Sequence, residues 1–309
     1  MELGHLSRVF GRSKRTVVGV IIESDDDQQP FFLGSGVVVR LAGRNFILTA
    51  AHNVWSKVHG RRAQIAVGRP PDNIITLIRP GDGSAGVIYH PVPGSSHEYP
   101  EPDVAVIEPT ERTILPAPLE PFGEEEIVYL DPNRTETLSE TEVRGCELVA
   151  TGFPVRFASY GPGLALGGKA GTRGELGANL VSMRAFTIPS FARKEHPFPK
   201  EPPAGRGIHV HLSRKMEDAE GKSVTLASPD GFSGGPLIAP ESNGLLVGLM
   251  RGAIDHGESW DEWCEPAAEA VRLLVDHPDP AVAASARRVW ERYERDSAAP
   301  SAAILGAGP

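Results

Sequence analysis

The chain has 309 residues, of which 40% are hydrophobic, so it can bury a complete core, and a wholly disordered protein is excluded. Its formal net charge of −9 argues against a nucleic-acid-binding surface, because such surfaces concentrate Lys and Arg. The 34 glycines and 28 prolines separate short runs of Val, Ile and Leu, which favours short strands joined by turns and hence an all-β fold.

Cysteine usage and the absence of a long apolar run predict the compartment. Cys146 and Cys264 are the only cysteines, too few for the disulfide framework of a secreted domain. The apolar run at 17–22 is too short for a signal peptide, and no run approaches the roughly 20 residues of a membrane-spanning helix. We therefore expect a cytoplasmic protein in a reducing environment, with neither a membrane nor a nucleic acid as partner.

The first part of the chain predicts a β-barrel. A basic arm at 1–16 precedes a β-branched strand at 16–23, and a hairpin over 31–49 ends at the segment Ala50-Ala51-His52. Further strand patterns follow at 63–67, 74–78, 86–90 and 104–107, with Pro and Gly turns between them. Six or so short strands in about 90 residues are typical of an antiparallel barrel, which we place at 17–120.

The remaining chain predicts a second barrel followed by helices. A Pro- and Glu-rich stretch at 121–144 is typical of a linker, and strand patterns resume in a second barrel at 145–255. Helical spacing of apolar residues, with Asp279-Pro280 as N-cap and first-turn proline, predicts a helical extension at 256–296. We expect this extension to pack on the barrel, although it loosely resembles a single HEAT-type repeat, and we expect 297–309 to be disordered.

A glycine-rich turn at 228–237 contains the candidate nucleophile. Ser233 is followed by two glycines and a proline, and Gly231 lies two residues before it. Glycine permits φ > 0, so such a turn can bring backbone N–H groups together beside an exposed hydroxyl. A serine hydroxyl is unreactive alone, so this interpretation requires a base and an orienting carboxylate elsewhere in the chain.

Three segments occur in an order that resembles the trypsin-like (chymotrypsin-fold) serine peptidases, and the resemblance covers roughly residues 17–255. The segments are Thr49-Ala50-Ala51-His52, Asp103-Val104-Ala105-Val106 and Gly231-Phe232-Ser233-Gly234-Gly235-Pro236. The resemblance implies an all-β fold of two six-stranded antiparallel barrels, and the low cysteine content is more similar to bacterial cytosolic members than to secreted digestive ones.

The same resemblance implies a role for each motif residue. His52 is then the general base, Asp103 the carboxylate that orients it, and Ser233 the nucleophile, without any cofactor. The backbone N–H groups of Gly231 and Ser233 are expected to form the oxyanion hole. Asp72, Asp82 and Glu101 lie on neighbouring loops, but only Asp103 directly precedes an apolar strand as the motif demands.

A metal site is the alternative for two further histidines. His209 and His211 lie on one face of a predicted strand, but no third ligand follows at a recognised spacing, so no metal is predicted.

The sequence departs from the digestive members at the residue before the nucleophile. Phe232 replaces the acid that pairs with a freshly cleaved N-terminus, so the faint cleavage-site pattern at 15–19 lacks its partner. Any regulation would then involve the long segment 155–230, the helical extension or a regulatory protein partner. The same resemblance implies that Ala227, Met250 and Gly252 line the substrate pocket, and their lack of charge predicts an apolar side chain before the cleaved bond.

These observations predict a serine endopeptidase that hydrolyses a protein or peptide substrate bound in an extended conformation along the strand at 247–252. A latent, partner-activated binding module with the same fold stays open as an alternative. An esterase that uses the same three residues is the other alternative.

Overall fold

The structure is a computed structural model. It describes residues 9, 11–13, 15–23, 31–56, 61–62, 65–68, 75–78, 87–95, 98, 100–109, 119–131, 135–139, 142–154, 159–160, 176–177, 180–188, 207–213, 215–218, 223–225, 229–240, 244–255 and 259–298.

The N-terminal half forms an antiparallel sheet in the order β7-β6-β1-β2-β3-β9-β8, with the short β10 parallel to β2. Its strands, together with the separate β4–β5 pair, are β1 Val17–Glu23, β2 Phe31–Leu41, β3 Arg44–Thr49, β4 Trp55–Ser56, β5 Arg61–Arg62, β6 Ile65–Gly68, β7 Ile75–Ile78, β8 Val87–Tyr89, β9 Ala105–Glu108 and β10 Phe122–Gly123. The β2–β3 hairpin turns at Ala42 and Gly43, both at positive φ, and leads directly to His52.

The C-terminal half forms a closed barrel. Its strands, with two hairpins beside them, are β11 Thr135–Ser139, β12 Glu142–Gly145, β13 Glu147–Gly152, β14 Ser159–Tyr160, β15 Leu176–Gly177, β16 Val181–Thr187, β17 Ile208–Ser213, β18 Lys215–Asp218, β19 Ser223–Thr225, β20 Pro236–Ala239, β21 Leu245–Asp255 and β22 Ser259–Pro266. The order β13-β20-β21-β22-β17-β16 is closed by pairing of β13 with β16, and β18 and β19 extend the sheet from β16. The predicted all-β fold of two antiparallel barrels with a C-terminal helical extension is therefore confirmed as two antiparallel sheets, of which the C-terminal one closes into a barrel among the described strands.

Two helices, α1 Ala267–Arg272 and α2 Pro280–Ala298, follow the barrel directly. The predicted N-cap, Asp279, accepts a 2.9 Å hydrogen bond from the Ala281 N–H through Oδ1. The buried face of the helices, which includes Val271 and Val289, shares one core with Phe46 of β3. This core also includes Val149 and Leu246 of the second barrel, so the helices cover apolar surface from both sheets.

Alternation along β2 shows why the chain forms two layers of core. Val37 and Val39 lie in the core shared with the helices, whereas Val38 faces the interior of the N-terminal sheet, because successive side chains of a strand point to opposite faces.

Among the described residues, no helix is both long and apolar enough to cross a membrane.

Some boundaries differ from the predictions. The strand β22 extends the barrel past residue 255, where the sequence predicts the start of the helical extension. The prediction missed this strand because charged and aromatic residues lie on both of its faces and obscure the alternation of polar and apolar residues. The predicted linker contains β10 and the β11–β12 hairpin. Within the basic arm, Val9 is helical and buried in the shared core, and Arg12 forms a 2.7 Å ion pair with Glu126. The helix α2 continues to Ala298, and 299–309 lie outside the described residues.

Candidate active site

The turn that carries Ser233 has the backbone that its glycines predict. Gly231 has φ of 95° and Gly234 has φ of 81°, in the left-handed region that favours glycine. The Phe232 N–H donates to the Pro229 carbonyl at 3.0 Å, and the Gly235 N–H donates to the Phe232 carbonyl at 2.7 Å. A Cβ at Gly234 would overlap the Ser35 carbonyl oxygen and Thr49 Oγ1, so crowding as well as φ requires glycine there.

A serine of the other sheet fastens this turn. The Ser35 N–H of β2 donates to the Ser233 carbonyl at 2.8 Å, and its hydroxyl donates to the Gly231 carbonyl at 2.7 Å. The same hydroxyl accepts the Phe153 N–H at 3.0 Å. Ser35 therefore joins the serine turn and the end of β13 to the N-terminal sheet, a role that its position between Gly34 and Gly36 in the sequence does not reveal.

Asn53 is a second fastening residue. Its Nδ2 donates to the Ser233 carbonyl at 2.8 Å and to Thr49 Oγ1 at 3.0 Å. Because Asn53 lies in the same 3₁₀ turn as His52, Ala51–Asn53, this bond places the histidine turn against the serine turn. Sequence reasoning missed Asn53, since nothing in the motif indicates where its amide points.

His52 and Asp103 form a bonded pair. The His52 Nδ1–H donates to Asp103 Oδ2 at 2.7 Å, and the His52 backbone N–H donates to Asp103 Oδ1 at 3.0 Å. The Asp103 side chain is only 4% exposed and that of His52 is 25% exposed, so the pair is buried at one end and open at the other. Since the carboxylate accepts the proton on Nδ1, the histidine Nε2 is the acceptor nitrogen of the neutral ring.

The charges of this pair shift both pKa values. Burial by itself would lower the pKa of His52, but the Asp103 carboxylate outweighs it and the pKa lies above the ordinary 6.5. Burial by itself would raise the pKa of Asp103, but the charge and hydrogen bond of His52, followed by the Arg251 guanidinium, hold it below the ordinary value. Asp103 is thus ionised at neutral pH.

The Ser233 hydroxyl donates to the backbone carbonyl of Arg251 at 2.9 Å. Arg251 also contacts Asp103, with 3.3 Å between Nε and Oδ2, so one residue of β21 contacts both Ser233 and the His52–Asp103 pair. Together with the Asn53 bond, these contacts bring the three motif residues of the sequence into one cluster. Within the described part of the chain, the N–H groups of Gly231 and Ser233 have no hydrogen-bond partner.

The predicted pocket residues have different outcomes. Ala227 lies outside the described residues, and Gly252 is exposed with open space where a Cβ would be. Met250 is fully buried, and its backbone bonds the serine turn through the Gly235 carbonyl at 2.8 Å and the Gly234 N–H at 2.7 Å. Met250 therefore positions the turn from within the barrel core.

Packing in the barrel core explains why Phe232 precedes Ser233. The side chain is fully buried in the core of the second barrel, and a Cβ on Gly152 would lie 2.9 Å from the Phe232 Cα. Burial of this apolar side chain therefore anchors the serine turn in the barrel core.

Two buried glutamates of β22 were missed because only the strand pairing reveals their position. Glu265 Oε1 accepts from Arg251 Nη1 at 2.8 Å and from the Asp103 N–H at 3.4 Å, and burial raises its pKa to about 7. Glu262 is 2% exposed, its Oε2 has no hydrogen-bond partner among the described residues, and burial raises its pKa to about 8. Glu101, a sequence alternative to Asp103, instead contacts Arg251 at 2.5 Å.

The two strand histidines do not converge on a ligand set. The His211 Nδ1 lies 2.8 Å from Asp261 Oδ1, whereas His209 is buried and stacks on Trp263 with 6.2 Å between ring centroids. Among the residues that the structure describes, no group of three or more His, Cys, Asp or Glu side chains is arranged to hold a metal ion.

No protein-family model matches this sequence, and no curated protein matches it either. Several solved structures are distantly similar. The protease Anisep from Arthrobacter nicotinovorans has 13% identity and a TM-score of 0.41, covering 82% of this chain and 90% of its own. The HtrA-type protease AlgW with a decapeptide has 14% identity and a TM-score of 0.44, covering 88% of this chain and 68% of its own.

A thermostable serine protease, AL20 from an extremophilic microorganism, is similar at 14% identity and a TM-score of 0.44, covering 93% of this chain and 99% of its own. These likenesses are weak, and the strand order and pairing described above define the fold of this chain.

Proposed function

We propose that the protein is a serine endopeptidase in which Ser233 is the nucleophile, His52 the general base and Asp103 the carboxylate that orients it. The observation that carries the proposal is the bonded His52–Asp103 pair beside a glycine turn that presents the Ser233 hydroxyl. Histidine near neutral pKa can accept a hydroxyl proton and return it, and a buried carboxylate holds the required tautomer.

In the proposed reaction, the Ser233 hydroxyl turns from the Arg251 carbonyl and gives its proton to His52 Nε2 as Oγ bonds the substrate carbonyl carbon. The N–H groups of Gly231 and Ser233 stabilise the resulting oxyanion, a contribution of about 3 kcal/mol for one such donor. The C–N bond then breaks as His52 returns the proton to the leaving amine. Water, deprotonated by His52, hydrolyses the acyl ester and Oγ recovers its proton.

The proposed substrate is an extended protein or peptide segment. Among the described strands, β20 pairs with β21 only as far as Leu249, so beyond Arg251 the backbone of β21 is paired by β22 on one edge and can pair with a substrate on the other, where Gly252 leaves open space. The prediction of an apolar side chain before the cleaved bond depends on Ala227, which lies outside the described residues. A cytoplasmic location, bacterial origin and control by a regulatory partner stay predictions from the sequence.

A latent binding module is the second candidate. It is favoured by the hydrogen bond from Ser233 Oγ to the Arg251 carbonyl, since this bond must break before the proton can move to His52. In that case, a partner that bound near β21 would release the hydroxyl.

Labelling with a fluorophosphonate separates the two candidates. The wild type is expected to react rapidly and to cleave an unfolded protein, and Ser233→Ala is expected to do neither. Well-folded wild type that resists the probe would contradict the endopeptidase proposal and favour latency. Labelling with turnover of an ester but no cleavage of unfolded protein would favour the esterase alternative.

A further inference from the structure

Arg251 is the residue of β21 that contacts the candidate site from two directions. Its guanidinium lies 3.3 Å from Asp103 Oδ2 through Nε, 2.8 Å from Glu265 Oε1 through Nη1 and 2.5 Å from Glu101 Oε1 through Nη2. Its backbone carbonyl accepts the Ser233 hydroxyl. The side chain and the main chain of one residue thus contact the carboxylate and the hydroxyl of the proposed triad.

The guanidinium is fixed in place. Its Cζ lies 4.2 Å from the centroid of the Trp263 ring, and its side chain is only 17% exposed. Stacking on an aromatic face together with charge-assisted bonds to several carboxylates defines the plane of a guanidinium, which a lysine ammonium cannot reproduce. The Asp103 Oδ2 that accepts from His52 therefore also has a rigid cationic neighbour.

The charge of Arg251 acts on the same groups. The titratable groups around it are Asp103, Glu101 and Glu265, with His52 beyond Asp103. The guanidinium lowers the pKa of Asp103 and also opposes protonation of His52, against the larger effect of the carboxylate. Glu265, with a pKa raised by burial to about 7, changes its own charge in the working range.

We propose that Arg251 is a positioning residue of the candidate active site, an inference that rests on the proposed peptidase function. Its guanidinium holds the Asp103 carboxylate against His52, and its carbonyl holds the Ser233 hydroxyl beside them. The β21 strand thereby links the geometry of the base to that of the nucleophile.

The test measures kcat, KM and the pH profile of kcat/KM for peptide hydrolysis by the full chain. Arg251→Met keeps an apolar stem over Trp263 but removes the charge, so kcat is expected to fall about 10- to 100-fold with a smaller change in KM. The acid limb of the kcat/KM profile of Arg251→Met is expected to move to higher pH, because this variant lacks the cation that opposes protonation of His52. Arg251→Lys is expected to lose kcat while its acid limb stays near that of the wild type.

Arg272→Met is the matched control, since Arg272 also lies over an indole, 4.7 Å from the Trp290 ring centroid, and pairs with Glu269 away from the site. It is expected to leave kcat and the pH profile unchanged. An Arg251→Met profile that superimposes on the wild type would overturn the inference while leaving the peptidase proposal intact. If Arg251→Met does not fold, wild-type kcat in Arg251→Lys overturns it. Inactivity of the wild type itself contradicts the proposed function instead.

Discussion

Gly234 and Ser35 show how single contacts define the serine turn. The left-handed Gly234 lies against the Ser35 carbonyl, while the Ser35 hydroxyl bridges Gly231 and Phe153 from the other side. A buried acceptor that loses its donor costs about 1–3 kcal/mol, so neither residue is readily replaced. The turn is therefore held by close approach of backbone from two sheets as much as by its own sequence.

Replacement of Gly234 by alanine tests this crowding. Gly234→Ala adds a Cβ at positive φ that overlaps Ser35, so we expect a loss of about 3 kcal/mol or more of unfolding free energy and loss of fluorophosphonate labelling. Gly43→Ala is the control, because Gly43 has φ of 80° but open space around it, and we expect a loss of about 1 kcal/mol with full labelling. Urea unfolding of both variants measures the difference, and equal losses would contradict the role of crowding.

The strand β22 places unusual charge inside the second barrel. Glu262 pairs across the sheet with Ala253 and Val210, and the flanking residues Trp260 and Cys264 belong to the barrel core. Cross-strand partners share a face, so the Glu262 carboxyl points toward that core, where a protonated group costs much less than a carboxylate. The barrel consequently contains an acid that stays neutral well above its ordinary range.

Stability should depend on pH through Glu262. The pKa of Glu262 in the folded protein, about 8, lies above its ordinary 4.5. Its contribution to the free energy of unfolding is therefore complete below about pH 4.5 and is lost as the pH rises through 8. The side chain of the Glu262→Gln variant cannot ionise. The free energy of unfolding of this variant, relative to that of the wild type, should therefore rise by about 2–4 kcal/mol between pH 5 and pH 8. Urea unfolding at both pH values, with the exposed Glu291→Gln as control, measures this gain. A gain that is the same at both pH values would be inconsistent with a buried neutral Glu262.

The strands and turns also show how much of the structure can be predicted from the sequence. The β2–β3 hairpin, the serine turn and the Asp103 segment were predicted because each is encoded by a short run of neighbouring residues. Arg251 and Glu265 were not, because their contacts with Asp103 cross 148 and 162 positions of the chain and depend on how β21 pairs with β22. The strand β22 was missed since both of its faces carry polar residues, which removes the two-residue period.

The molecule is organised around one core shared by both sheets and the C-terminal helices. Leu274 and Val289 of the helical region are buried with Phe46 of the first sheet and Leu246 of the second. A polar contact also joins the first sheet to the helical region. Glu108 of β9 accepts from the Tyr89 hydroxyl at 2.9 Å and lies 3.1 Å from His277 Nε2. The helices thus belong to the folded unit and complete its interior.

Leu274→Ala should therefore weaken the whole chain. The variant leaves a cavity in the shared core, so we expect a loss of about 2–5 kcal/mol of unfolding free energy. Tryptophan fluorescence and Ser233 labelling should be lost together in one thermal transition at lower temperature than in the wild type. Arg295→Ala on the exposed end of α2 is the control. Labelling that survives after the fluorescence transition would show that the helices unfold separately from the site.

The bonds from Ser35 and Asn53 to the serine turn have a consequence for the order of events during synthesis. Ser35 lies in β2 and Asn53 in the 3₁₀ turn that follows β3, and Asn53 leaves the ribosome 180 positions before Ser233. The turn acquires these bonds only when the late strands have docked on the early sheet. On the proposed function, Ser233 is then inert in a half-folded chain, and the onset of probe labelling in a refolding experiment marks the moment at which the two sheets join.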